Sequence, residues 1–241
     1  MCLLVLLNHV VAGYPLVVAA NRDEDPARGG DPPGRWPDGI VAPRDPKAGG
    51  TWIGVNAHGV VSAVTNRAGP LAAGPQVKSR GRLPLEALKE KTAMGARRRA
   101  ERIPTFLFSP FNWLYADVHH AFIDEHGGPS DISVRLRPGL HALTNLHDVN
   151  QVNLDALVNF LAVESDHPAL SDVIPQLQDM LGCHEPLLSD THQICKHEGL
   201  PRTLSASIIA IHESDRGSHR WLYHDGPPCR GPWLDVSELL V

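Results

Sequence analysis

Met1-Cys2-Leu3-Leu4-Val5-Leu6-Leu7 opens the chain, and Leu16-Val17-Val18-Ala19-Ala20-Asn21-Arg22-Asp23-Glu24 follows the turn-forming Ala12-Gly13-Tyr14-Pro15. Two apolar runs of this kind about a glycine turn predict a β-hairpin buried on both faces. Antiparallel pairing puts the start of one strand beside the finish of the next, so Cys2 and residues 21–24 share one end. If Met1 is removed, Cys2 carries a thiol and a free α-amine on the same residue. An α-amine titrates at about 7.7–8.0 and a thiol near 8.5, so the amine can take the thiol proton at neutral pH. Arg22 would then stabilise the thiolate, and the carboxylates of Asp23 and Glu24 would orient the amine.

Outward from this hairpin, residues 25–50 read as a long Pro/Gly-rich loop, the expected place for substrate selection. A second hairpin, residues 51–55 and 60–65 about Asn56-Ala57-His58-Gly59, delivers Asn66 to a strand end. Pro84 suits the first turn of a helix running on to Arg102, with Arg97-Arg98-Arg99 as its solvated face. Residues 112–117 and 119–124 read as strands, with His119 and His120 on opposite faces, and 133–136 and 141–143 as two more. Apolar residues at helical spacing over 150–182 predict two helices broken at His167-Pro168. Residues 206–211 and 220–224 form a closing hairpin. This order is not the strict alternation of a doubly wound fold. It predicts an α+β protein of antiparallel sheets covered by helices.

At 241 residues the chain is expected to form one domain, residues 1–241. A net charge of −5 without a long basic block excludes a nucleic-acid surface. No apolar run reaches the ~20 residues of a transmembrane helix, and the N-terminal run is too short for a signal peptide. Four scattered cysteines do not make a disulfide framework, so a cytoplasmic protein is expected. Among fourteen histidines the densest cluster is Cys183-His184 with His192, Cys195 and His197. It lacks paired Cys-x-x-Cys spacing, and no metal site is expected.

Met1-Cys2, Asn21-Arg22-Asp23-Glu24, Gly49-Gly50-Thr51-Trp52-Ile53-Gly54-Val55, Thr65-Asn66, Ser79-Arg80-Gly81, Phe111-Asn112-Trp113-Leu114 and Leu143-Thr144-Asn145 occur in that order. The set resembles the NRDE family, the transport and Golgi organisation proteins. That family in turn resembles N-terminal nucleophile hydrolases of the penicillin V acylase and conjugated bile-acid hydrolase group. The resemblance implies a four-layer αββα sandwich and cleavage of a non-peptide amide in a small molecule through a thioester. It makes Cys2 the nucleophile, Arg22 its flanking arginine and Asp23 the amine partner, with Asn66, Asn145 and Arg202 completing the catalytic set. Glu24 and Trp52 are the expected substrate contacts.

Two departures stand out. The arginine and aspartate are separated by two residues in the hydrolase group but adjacent here, and neighbours in a strand face opposite ways. Pro201-Arg202-Thr203 also stands where the family often shows Gly-Thr-Arg. A rival implication of the resemblance is haem, since the family has been connected with intracellular haem handling. Histidine or cysteine could serve as axial ligand, although no Cys-x-x-Cys-His attachment motif is present. A chain that keeps Met1 would instead be an idle hydrolase scaffold.

Overall fold

The structure is a computed structural model that describes residues 2–128, 130–161, 167–188 and 193–241. Its chain divides into two compact units, one of residues 1–27 with 137–239 and the other of residues 28–136.

The first unit is a six-stranded antiparallel sheet. The hairpin β1 (Leu3–Val11) and β2 (Tyr14–Glu24) sits inside it, flanked by β10 (Gly139–Thr144) on one side and β11 (Arg202–Ile211), β12 (Arg220–Asp225) and β13 (Leu234–Asp235) on the other. Helices α3 (Leu154–Leu161) and α4 (Leu170–Leu181) cover one face. α4 turns Val173, Leu177, Met180 and Leu181 inward at helical spacing, against Leu3, Val5, Val17, Ala19, Ala206 and Ile208. Each buried aliphatic side chain contributes about 1.5–3 kcal/mol. The alternate residues Leu4, Leu6, Leu16, Val18, Ile209 and Trp221 are buried as well. Burial on both faces is why the hairpin reads as uninterrupted apolar sequence.

The second unit is a seven-stranded antiparallel sheet in strict chain order, from β3 (Asp31–Arg35) and β4 (Ile40–Arg44) through β5 (Ile53–Asn56), β6 (Val61–Asn66), β7 (Phe111–Ala116) and β8 (Ala121–His126) to β9 (Ile132–Leu136). Helices α1 (Arg82–Ala87) and α2 (Ala93–Ala100) pack on its Phe111, Trp113 and Tyr115 face. Among the described residues no helix is long and apolar enough to cross a membrane.

Several local expectations are corrected. Residues 25–50 are not a structureless loop but supply β3 and β4. Pro32 and Pro33 fit because β3 is an edge strand with no outer ladder to complete. The Trp36 indole donates to the Ala42 carbonyl at 2.8 Å, and Asp45 is bridged by Arg28 at 2.6 Å. The helix expected to run from Pro84 to Arg102 is two helices, the second started by Thr92, whose hydroxyl accepts from the Gly95 amide at 3.1 Å. Arg99 is not simply solvated, because it bonds Glu86 at 2.7 Å and Glu90 at 3.2 Å. His119 and His120 belong to a turn, where Asp117 accepts from both their amides at 2.8 Å.

The Gly49-Gly50-Thr51 and Ser79-Arg80-Gly81 motifs meet backbone to backbone. The Thr51 amide donates to the Gly81 carbonyl at 3.0 Å, and a Cβ on Gly50 would lie 2.5 Å from that oxygen. These glycines are there for close approach rather than chemistry.

Candidate active site

The sheet order of the first unit decides which side chains stand together. Leu3 pairs with Asn21 on one side and Thr144 on the other. Extending the register by one residue sets Cys2 between Arg22 and Asn145, and the Asn145 amide donates to the Cys2 carbonyl at 3.3 Å. Arg22 in turn pairs with Ser205 of β11. Asn145, Cys2, Arg22 and Ser205 thus form one row across four strands, on the face away from α3 and α4, with steps of about 4.8 Å.

The Cys2 sulfur is half-buried and held by the backbone of Asp23, accepting from its amide and donating to its carbonyl, each at 3.3 Å. Burial, reinforced by the Asp23 carboxylate, pushes the thiol up to about 12. The thiol therefore stays protonated at neutral pH, and attack requires a nearby proton acceptor.

Asp23 is buried, and its Oδ1 accepts a 2.7 Å hydrogen bond from Thr203 Oγ1. That hydroxyl also accepts from the Lys196 amide at 2.9 Å. The register shift between Thr203 and Ser205 makes Leu204 an extra residue, which lets Thr203 face Asp23 while Ser205 faces Arg22. Asn21, on the helix-covered face, donates to the carbonyls of Leu181 at 2.9 Å and Ile194 at 3.2 Å. The tetrad is thus divided by strand alternation, with Arg22 and Glu24 on one face and Asn21 and Asp23 on the other.

Arg202 lies at the same rim, opposite Glu24, exposed, with its Nε on the Gly199 carbonyl at 3.0 Å. Five of the expected catalytic residues and Glu24 therefore occupy one rim of one sheet, except that Asn66 belongs to the second unit, as does Trp52. There Asn66 ends β6, exposed, and shares the helix-covered face with Val64. The opposite face carries the buried polar row Thr65, Asn112 and Glu125, with Asn112 Nδ2 on Thr65 Oγ1 at 3.3 Å.

Thr203 and Ser205 were missed by sequence reasoning. Thr203 sat beside the arginine that drew attention, and a serine inside an apolar strand carries no signal of its own. Two buried oxygens in the cross-strand row, Asn145 Oδ1 and Ser205 Oγ, find no hydrogen-bond partner among the described residues. Such atoms are costly unless something polar visits them. The expected cysteine-histidine cluster is also altered: His184, Cys195 and His197 are joined by Cys229, while Cys183 points its sulfur at the Glu185 carbonyl at 3.7 Å. His192 lies outside the described residues.

The fold is shared with solved hydrolases. Penicillin V acylase from Agrobacterium tumefaciens superposes with a TM-score of 0.56 at 13% identity, over 99% of this chain and 87% of that one. The C2A mutant of conjugated bile acid hydrolase from Clostridium perfringens gives 0.54 at 11% identity, over 99% and 93%. The Caenorhabditis elegans ortholog of N-acylethanolamine-hydrolyzing acid amidase gives 0.53 at 10% identity, over 86% and 92%. These likenesses show the fold, an α+β arrangement of antiparallel sheets with helices. No curated protein sequence matches the chain. The sequence model described as Transport and Golgi organisation 2 matches residues 1–217, and the chain belongs to that family.

Proposed function

We propose that the protein is an N-terminal cysteine hydrolase of a non-peptide amide in a small molecule, acting in the cytoplasm. The observation that carries this reading is the cross-strand row, in which Cys2 lies between Arg22 and Asn145 with two unpartnered buried oxygens beside them. The hydrolase-like fold supports it. After Met1 is removed, the α-amine accepts the Cys2 proton and the thiolate attacks the amide carbon. The carbonyl electrons move onto oxygen, where the amide donors of Asn145 stabilise the charge, an effect of about 3–4 kcal/mol per donor. Collapse expels the amine, which takes the proton back from the α-ammonium, and leaves a thioester on Cys2. Water then releases the acid and restores the thiol. Arg22 screens the thiolate, Asp23 fixes the α-ammonium, and Glu24 and Arg202 contact the substrate around them.

Intact-mass measurement before and after a cysteine-directed acylating probe tests both requirements. The expected masses show loss of Met1 and a single acyl adduct that disappears in Cys2→Ala. Retention of Met1, or labelling at other cysteines alone, would reject the reading. A Soret band on adding haemin that Cys2→Ala abolishes, together with no amide turnover, would replace it with haem binding.

Thr203 offers a second check. Thr203→Val should lower kcat about 10–100-fold by removing the hydroxyl that bonds Asp23 Oδ1, whereas Thr203→Ser, which keeps the hydroxyl, should restore most of it. Equal losses in both variants would show that packing, not the hydrogen bond, matters.

A further inference from the structure

Behind the α4 end of the first unit, His184, Cys195, His197 and Cys229 bring four ligand atoms within 4.8 Å of one another. We propose that these residues form a structural Zn²⁺ site that staples the segment following α4 to the turn after β12.

The S···S and N···N spacings match a tetrahedron around one ion, and the S···N contact is a hydrogen bond shorter than its tetrahedral edge. With Zn–S near 2.3 Å and Zn–N near 2.0–2.1 Å, tetrahedral edges are about 3.8 Å for S···S, 3.5 Å for S···N and 3.4 Å for N···N. Cys195 Sγ and Cys229 Sγ are 3.7 Å apart, His184 Nε2 and His197 Nε2 are 3.4 Å apart, and Cys229 Sγ lies 2.9 Å from His197 Nε2. At 3.7 Å the two sulfurs are far from the ~2.05 Å of a disulfide. Four protein ligands leave no open position, which marks a structural rather than a catalytic centre.

The scaffold holds the ligands in place without the ion. The Cys195 amide bonds the Cys183 carbonyl at 2.9 Å, and Asn21 clamps both Leu181 and Ile194, the residues just before the ligand segments. Gly182 allows the Cys229 backbone to approach, since a Cβ there would meet Cys229 Cα at 3.3 Å. Binding converts two thiols to thiolates and releases two protons per ion.

The site also reaches the active-site strand. Lys196, between two ligands, bonds Thr203 through both backbone and hydroxyl, and Thr203 holds Asp23. Zn²⁺ would therefore stiffen the support of Asp23 while standing apart from the reacting atoms.

Reduced, chelator-stripped protein titrated with Zn²⁺ against a chromophoric chelator should bind one ion per chain, and Co²⁺ should give the absorption of a tetrahedral thiolate complex. His184→Ala and Cys229→Ser alter exposed residues and should keep the wild-type circular dichroism. They should weaken binding more than about 100-fold, beyond the loss typical of an outer-shell change. Zn²⁺ should raise the Tm of the wild type but of neither variant. No ion held against the chelator, an octahedral cobalt spectrum, or wild-type affinity in both variants would overturn the proposal.

Discussion

Cys2→Ala is expected to lower amide hydrolysis by about 10⁴–10⁶-fold with the fold intact. In the cross-strand row Cys2 is the side chain whose nucleophilic atom, once Met1 is removed, has an amine base on the same residue. Among the described residues its sulfur hydrogen-bonds the Asp23 backbone alone, so truncation should cost no more than about 1 kcal/mol of stability. A chain carrying an uncleaved extension before Cys2 separates nucleophile from base. It keeps the thiol but moves the amine away, and with a thiol held at about 12 its rate should fall nearly as far as in Cys2→Ala. Full activity in the extended chain would mean that another group takes the proton. A melting curve for Cys2→Ala displaced by many degrees would mean that the loss is one of folding.

Gly50→Ala should be the most damaging single methyl in the second unit, costing more than about 3 kcal/mol in urea unfolding. The added carbon would sit 2.5 Å from the Gly81 carbonyl oxygen, 2.6 Å from its carbon and 2.9 Å from its Cα. Backbone atoms cannot rotate aside as a side chain would, so the Thr51–Gly81 hydrogen bond has to open. Gly49→Ala is the matched control. Gly49 has a φ of +67° but nothing within 4 Å of its Cβ position, so only the left-handed conformation is penalised, at about 1–2 kcal/mol. Equal costs at the two positions would show that close packing of the two motifs contributes nothing.

These two variants also show what was legible in the sequence. The hairpin could be read because its strands are buried on both faces, and strand pairing then forced Cys2, residues 21–24 and the later strand ends together. The Gly50 and Gly81 motifs were just as visible, but their role depends on contact between segments 31 residues apart, which no local pattern encodes. β3 and β4 were hidden because Pro32 and Pro33 erase the alternation that marks a strand. The zinc ligands were half visible. His184, Cys195 and His197 lie close in sequence, but Cys229 is 34 residues from Cys195 and replaces the nearer Cys183. Asn66 was read correctly as a strand-end residue, while its face depends on the register with Phe111, which becomes visible only once the strands are paired.

The order β10-β1-β2-β11 has a consequence for how the protein is made. β1 and β2 leave the ribosome first, yet β1 obtains its outer neighbour only when residues 139–144 exist, and β2 only when residues 202–211 do. At about 5–20 residues per second, synthesis up to β11 takes roughly 10–40 s after the hairpin is complete. β1 presents an open edge until β10 is made and β2 does so throughout that interval, the geometry most prone to pair with another chain. Such long-range pairing also slows folding, because loop closure has to precede the contacts that reward it. Chains stopped before β11 should therefore aggregate rather than fold, and Cys2, made before the strands that come to flank it, is among the last residues brought into register.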